Sequence, residues 1–256
     1  MKKELAGIYT VWLRDIKRYL RDRPRLIGSF AQPVLFLFVL GTGIAGSFNV
    51  FGGGGGEDFL YFMFPGIVGM AVLFTSFFSA MSIVWDREFG FLREILVAPI
   101  SRTSIVVGKL LGGSTIAMIQ GSIILMFGPL LGVSINFLIF FKVLGIIFLI
   151  AMTISNMGIM LASVIKSMQA FQAITNFLLM PMFFLSGALF PLNKTVEWMS
   201  IVSKINPLSY GIDAMRFAIL NDLSLQLYPM WLNIIVLVFL IVVFSIIGTF
   251  LFNRQD

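Results

Sequence analysis

Two absences limit the chemistry open to this chain of 256 residues: it contains no His and no Cys. Without Cys there is no disulfide, thiol nucleophile or thiolate metal site. Without His, the commonest metal ligand and the commonest general base are missing as well. That combination argues against intramembrane metalloproteases, His-dependent acyltransferases and Ser–His hydrolases. The most informative polar stretch is Asp86-Arg87-Glu88-Phe89-Gly90-Phe91-Leu92-Arg93-Glu94-Ile95-Leu96-Val97-Ala98-Pro99-Ile100-Ser101-Arg102. On a helix, Phe89, Leu92, Ile95 and Leu96 share one face, while Arg87, Glu88, Arg93 and Glu94 supply polar contacts. Pro99 stops the run. A short amphipathic helix of this kind serves either as a lid on a bundle or as a peg for a partner.

The elements that hold this stretch are apolar. Hydrophobic residues make up 59% of the chain and charged residues 12%, against about 25% charged in soluble domains. Mean hydropathy is +0.99. So few polar groups cannot cover a water-soluble surface, and the natural solvent is a bilayer. A spanning helix needs about 20 apolar residues. Six stretches qualify: Leu26–Phe48, Leu60–Trp85, Ile105–Leu131, Phe137–Ile165, Phe171–Phe190 and Tyr228–Phe252. The third and fourth are joined by a tight turn at Gly132–Asn136. The sequence therefore predicts an all-α polytopic protein with six transmembrane helices.

Residues 1–25 are too basic and too interrupted to be a cleavable signal peptide. Leu5, Ile8, Tyr9, Trp12, Leu13, Ile16, Tyr19 and Leu20 recur at helical spacing, with Lys3, Arg14, Lys17, Arg18 and Arg21 on the opposite face. That pattern fits an amphipathic helix lying flat in the headgroup layer, or one packed on protein. With the N-terminus inside, fourteen of the eighteen Lys and Arg fall on cytoplasmic segments, leaving Lys142, Lys194, Lys204 and Arg216 outside. This bias places both termini in the cytoplasm. It also accounts for the net charge of +6 without a nucleic-acid partner.

No Asp or Glu falls inside the six stretches, and Lys109 and Lys142 stand near their ends, where their stems snorkel to the headgroups. The deep polar residues are neutral: Gln120, Asn156, Gln172 and Asn176 bond between helices or contact a substrate. Nothing couples to an ion gradient, so energy for uphill movement must come from another subunit. The chain itself offers no phosphate loop. Gly108-Lys109 is followed by Leu110, and Gly52–Gly56 reads as a linker. Phe64, Phe74 and Phe78 on the second stretch, with Asn176, Phe177, Phe183 and Phe184 on the fifth, either line an apolar route at a dimer interface or simply pack. Between the fifth and sixth stretches, Asp213 and Arg216 stand three apart, a spacing that permits an ion pair.

The stretch W-D-R-E-F-G-F-L-R-E-I-L-V-A-P-I-S-R-T-S-I-V-V-G-K, flanked by the second and third stretches, resembles the membrane subunit of type-2 ABC exporters. The similarity extends over nearly the whole chain. It takes in Phe184-Leu185-Ser186-Gly187-Ala188-Leu189-Phe190-Pro191 and Asn206-Pro207-Leu208-Ser209-Tyr210-Gly211-Ile212-Asp213-Ala214-Met215-Arg216. Val97-Ala98-Pro99 departs mildly from the Thr or Ser that many members carry before Pro. The resemblance is nearest to permeases of the daunorubicin-resistance type, and exporters of polysaccharide or polyol phosphate share the fold.

The resemblance implies that residues 86–97 form a coupling helix, with Arg87, Glu88, Phe89, Gly90, Arg93, Glu94 and Leu96 contacting a separate ABC ATP-binding subunit. It implies re-entrant outer helices carrying Pro191, Pro207, Tyr210, Asp213 and Arg216, and a second six-span permease subunit. Cargo would be hydrophobic or amphipathic. The chain itself would bind no cofactor and hydrolyse nothing, ATP and Mg sitting on the partner. The competing class is a membrane scaffold, which leaves the full signature unexplained.

Overall fold

The computed structural model describes residues 2–41, 43, 56–90, 100–192 and 195–253, and all regular structure among them is helical. The helices are α1 (Lys2–Arg21), α2 (Arg23–Leu35, continued by a π-helical turn Phe36–Gly41), α3 (Gly56–Ser79) and α4 (Met81–Glu88). Next come α5 (Arg102–Leu125), α6 (Phe137–Val164), α7 (Met168–Phe184), α8 (Glu197–Ile205), α9 (Pro207–Leu220) and α10 (Met230–Asn253). The centre of the molecule is α3 against α5 and α6, with α10 on the outer side of α6 and α9 wedged against α3, α6 and α10. The core between them is built on Phe64, Ile67, Phe77, Ile147, Ile150, Ile154 and Phe171, with Ser76, Gln120 and Asn156 among the polar side chains buried within it.

Local sequence sets the boundaries. Ser101, Asn136, Ser167 and Asn206 each cap a helix by accepting a backbone N–H two or three residues on. The expected turn before α6 is a 3-10 turn, Gly128–Leu131, closed by Gly132 at φ +83°, a left-handed position that suits glycine.

Among the described residues, four units are long and apolar enough to cross a bilayer: Phe59–Glu88 (α3 with α4), Arg102–Leu131, Phe137–Val164 and Met230–Phe252. They correspond to the expected second, third, fourth and sixth stretches. The first is shorter than expected, with an apolar run of Leu26–Val39, and most of its remaining part lies outside the described residues. The fifth, α7, has 17 residues and an internal Pro181. The second unit continues three residues beyond the expected end at Trp85, through Glu88.

Helix α1 packs on the bundle. Glu4 meets Ser101 and Ser104 at the start of α5, a side chain at Gly108 would touch Val11, one at Gly112 would touch Asp15, and Trp12 Nε1 donates to Thr115 Oγ1 at 3.1 Å. Tyr19 then reaches Gln120. Contacts that advance together along both chains mean that α1 runs beside α5 in the same direction. Its apolar stripe is therefore divided: Val11 and Tyr19 are buried, whereas Leu5, Tyr9 and Leu20 remain exposed.

Candidate functional site

At the end of the bundle where α1 packs, five charged side chains from three elements converge. The Lys109 ammonium on α5 lies 2.8 Å from Asp86 of α4 and 3.4 Å from Asp15 of α1, and donates to Ser82 Oγ at 2.9 Å. Arg14 reaches Asp86 at 2.7 Å and Asp15 at 3.4 Å, and Arg18 reaches Asp86 at 3.5 Å. Asp15, Asp86 and Lys109 are buried, a state that charged groups tolerate only when paired. Lys109 thus does not snorkel to the surface as expected, because α1 brings a carboxylate to it. Arg18 also lies over the Trp85 ring, 5.4 Å from its centroid, at cation–π range. A second polar layer follows one face inward: Gln120 accepts from Thr75 Oγ1 and from Tyr19 OH at 3.4 Å, and donates to Ser29 O at 2.5 Å. This is the interhelical role expected of Gln120.

The expected coupling segment emerges beside this cluster. Arg87 donates to Ile165 O at 2.8 Å and to Ser163 O at 3.4 Å, satisfying carbonyls at the end of α6. The Glu88 carboxylate accepts Met168 N–H at 3.0 Å, capping α7. Phe89 is exposed and its ring lies 4.9 Å from that of Trp85. Gly90 turns the chain at φ +81°. Arg87 and Glu88 therefore fasten the root of the segment to the α6–α7 connection. Arg93, Glu94 and Leu96 lie outside the described residues.

Between α1, α2, α3, α4 and α7 opens a cavity of about 560 Å³ whose walls include Arg18, Tyr19, Phe74, Phe78, Trp85 and Gln172. Phe74 and Phe78 stack at 6.3 Å. Phe64, expected beside them, sits fully buried in the core and does not border the cavity. On α7, Phe177 is 82% exposed and Phe184 is exposed as well, whereas Phe183 is buried. Asn176 and Gln172 share the exposed side of α7.

The opposite end carries Pro191, Pro207, Tyr210, Asp213 and Arg216. Pro207 is the first residue of α9. Tyr210 OH donates to Lys204 O at 2.7 Å, and its ring stacks on Tyr228 at 5.2 Å. Asp213 and Arg216 are both buried but do not form the expected ion pair. Asp213 accepts Leu227 N–H at 2.8 Å, Tyr228 N–H at 3.1 Å and the Asn233 amide at 2.8 Å. Arg216 donates to Gly187 O at 2.7 Å and Phe62 O at 3.3 Å, over the Phe62 ring at 3.8 Å. Backbone donors and acceptors at the loops captured both charges. Pro191 is partly buried in the connection after α7.

Sequence reading missed the charge cluster. One signal was present: Asp15 stands between Val11 and Tyr19 at i, i+4 spacing, an acid on a face otherwise suited to burial.

Several helices long and apolar enough to cross a bilayer mark a multi-pass membrane protein. Residues 6–220 match the ABC-2 type transporter family, and the chain belongs to that family of transport permeases. It is 30% identical over 245 residues to a protein named as transport permease ycf38 of Cyanophora paradoxa, covering 92% of this chain and 84% of the relative. It is 25% identical over 248 residues to nodulation protein J of Rhizobium leguminosarum bv. viciae, covering 96% and 93%. A protein of Mycobacterium tuberculosis named as the doxorubicin resistance ABC transporter permease DrrC is 28% identical over 213 residues, covering 79% and 73%. Membership implies an ABC ATP-binding partner and a membrane setting.

Proposed function

We propose that this chain is the transmembrane subunit of an ATP-driven exporter that moves hydrophobic or amphipathic molecules out of the cell. It has six spans, cytoplasmic termini and α8 and α9 as outer re-entrant helices. ATP and Mg bind the partner ATPase, which engages residues 86–97, and Arg93, Glu94 and Leu96 add contacts beyond the clamped root. The observation that carries this reading is the double attachment of that root: Arg87 on the end of α6 and Glu88 on the start of α7. A displacement of the segment would be felt at once by α4, α6 and α7. The cavity with Phe74, Phe78 and Trp85 beside Arg18 and Gln172 matches an amphiphile, apolar on one side and polar on the other.

A second copy would complete the path. Gln172 and Asn176 are exposed one turn apart on α7, where side-chain amides facing hydrocarbon would be left unsatisfied. A facing subunit or a water-lined route removes that cost, so Asn176, Phe177 and Phe184 belong to the dimer interface or path. The M. tuberculosis relative is named for doxorubicin resistance, which supports a drug-like cargo of the kind that the resemblance to daunorubicin-resistance permeases implies.

The test is co-purification with an ABC ATP-binding subunit, followed by amphiphile-stimulated ATPase activity of the reconstituted pair. Failure to bind any such subunit would overturn the reading. The topology is checked separately with single Cys substitutions, since the native chain has none. Cys at Gly54 should label from outside intact cells and Cys at Ser101 only after permeabilisation.

A further inference from the structure

The cavity between α1, α2, α3, α4 and α7 has two unlike walls. Met70, Phe74, Phe78, Met81 and Trp85 all border it. They recur every three or four residues along the unit Phe59–Glu88, so they form one apolar stripe about 22 Å long at 1.5 Å per residue. The facing wall is polar, with Arg18 and Tyr19 of α1, Ser29 and Gln32 of α2 and Gln172 of α7.

The cation of this wall is the least committed member of the neighbouring charge cluster. Arg14 and Lys109 approach Asp86 at 2.7 and 2.8 Å, and Arg18 only at 3.5 Å. Arg18 is also the most exposed of the five charged side chains. Of the five guanidinium N–H donors, the bond to Asp86 uses one. The group lies over the ring of Trp85, which ends the apolar stripe on the Asp86 side. Three cations face two carboxylates in the cluster, so the surplus positive charge stands at the cavity. Asp22 borders the cavity as well, one turn beyond Arg18 on α1, and has an interaction of its own.

We infer that the cavity binds an amphiphile with an anionic head, a carboxylate or a phosphate, on Arg18 beside Trp85, and an apolar chain along the Met70–Trp85 stripe. The inference rests on the exporter reading and narrows its cargo, since an acidic group is favoured over an amine.

Guanidinium matches such a head because it pairs with carboxylate or phosphate through two parallel hydrogen bonds. Trp85 and Gln172 each stand about one turn from the contact between Glu88 and Met168 N–H. The Gln172 amide is therefore at the head end of the cavity, in place to donate to the same anion. A soluble anion would satisfy Arg18 and leave the stripe bare, whereas an apolar chain alone would leave the guanidinium donors unmatched. An acidic amphiphile covers both walls.

The experiment measures binding of tritiated hexadecanoic acid to the purified full-length chain in detergent, by scintillation proximity at mildly alkaline pH. Unlabelled hexadecanoic acid, hexadecyl phosphate, hexadecanol and hexadecylamine compete. The two acids should displace the label at concentrations about tenfold lower than the alcohol or the amine, the effect of a charge-assisted hydrogen bond. Whichever acid competes better identifies the head, and either order supports the inference. Arg18→Gln should remove the preference for acid over alcohol, and Arg18→Lys, which keeps the charge without the fork, should restore part of it. Phe78→Ala should weaken acid and alcohol alike and leave their ratio unchanged. Lys142→Gln, a cation near the start of α6, should change neither. Retention on size exclusion checks the fold of each variant. Equal competition by acid and alcohol in wild type would overturn the inference, as would an acid preference that survives Arg18→Gln. Stronger competition by the amine would also overturn it and assign the cavity to cations through Asp22. An equal loss with Lys142→Gln would reduce the effect to net charge and overturn it too. Neither an ATPase subunit nor transport enters the measurement, so the inference and the proposed function fail distinguishably.

Discussion

The two ends of the bundle bury charge in different ways. At the α1 end, two carboxylates from α1 and α4 share three cations from α1 and α5, and Asp15, Asp86, Arg14 and Lys109 each have more than one partner. At the opposite end, Asp213 and Arg216 are committed to backbone groups and an amide, with no ion pair between them. A network of side chains can exchange partners as helices shift, whereas a charge pinned to main chain holds one geometry. The α8–α9 end is therefore expected to be the firmer of the two.

The largest effect is expected at the firm end. Asp213→Ala should cost about 3 kcal/mol or more, because it strands two backbone N–H groups and the Asn233 amide. Adding Arg216→Ala should make matters worse rather than better, since the two side chains have separate partners. Thermal inactivation of the detergent-solubilised chain reads both. Rescue by the second change would show a direct pair and break the comparison.

The next effect belongs to the shared network. Asp86→Asn leaves Lys109, Arg14 and Arg18 crowded around Asp15, and should destabilise by about 2 kcal/mol. Lys109→Met in that background should restore part of the loss, giving a coupling of about 1 kcal/mol in a double-mutant cycle. Additivity would mean that the cluster does not act as one unit.

Much of the architecture was legible, for identifiable reasons. Helix length and hydropathy are local properties, so the four long spans stand out from Leu60 onward. The pairing of α1 with α5 is not local. No spacing in the sequence says that Asp15 will meet Lys109, so Lys109 looked like a solitary snorkelling lysine. The reverse error occurred at Asp213 and Arg216. Their i, i+3 spacing invited an ion pair, but donors more than ten residues downstream, Leu227, Tyr228 and Asn233, are nearer to the carboxylate. Phe64 shows the same limit: its type fits a path or a core equally, and only packing decides.

Glycine contacts sharpen the contrast further. A Cβ at Gly66 would lie 2.4 Å from Ala188 O and 2.7 Å from Ala188 Cα, both main chain. Gly66→Ala should therefore cost about 1–3 kcal/mol, measured as lowered thermal stability. A Cβ at Gly7 would meet only the flexible Ile100 side chain, at 2.8 Å, and Gly7→Ala should cost less than half as much. A reversed order would remove the claim that the far end is the firmer one.

The smallest effect is acid sensitivity at the start of α1. The Ser104 hydroxyl and the Ser101 N–H and hydroxyl hold the Glu4 carboxyl below the usual carboxylate range. Since the folded value is depressed, the docking contribution is complete above the ordinary Glu value and is lost as pH falls through the folded one. Hydrogen exchange over residues 2–8 should rise on acidification below about pH 4, and Glu4→Gln should show the faster exchange already at neutral pH. Unchanged exchange in both cases would detach Glu4 from the docking of α1.

The central claim is that energy reaches this permease from a separate ATPase through residues 86–97. Proteoliposomes carrying the chain with its ATPase partner should export a fluorescent amphiphile when ATP is added, and liposomes carrying the chain alone should not. If residues 86–97 form the expected coupling helix, Phe91→Pro, which would cost it about 3 kcal/mol, should abolish export while leaving membrane insertion intact. Uphill transport by the chain alone, or undiminished export with Phe91→Pro, would contradict the account.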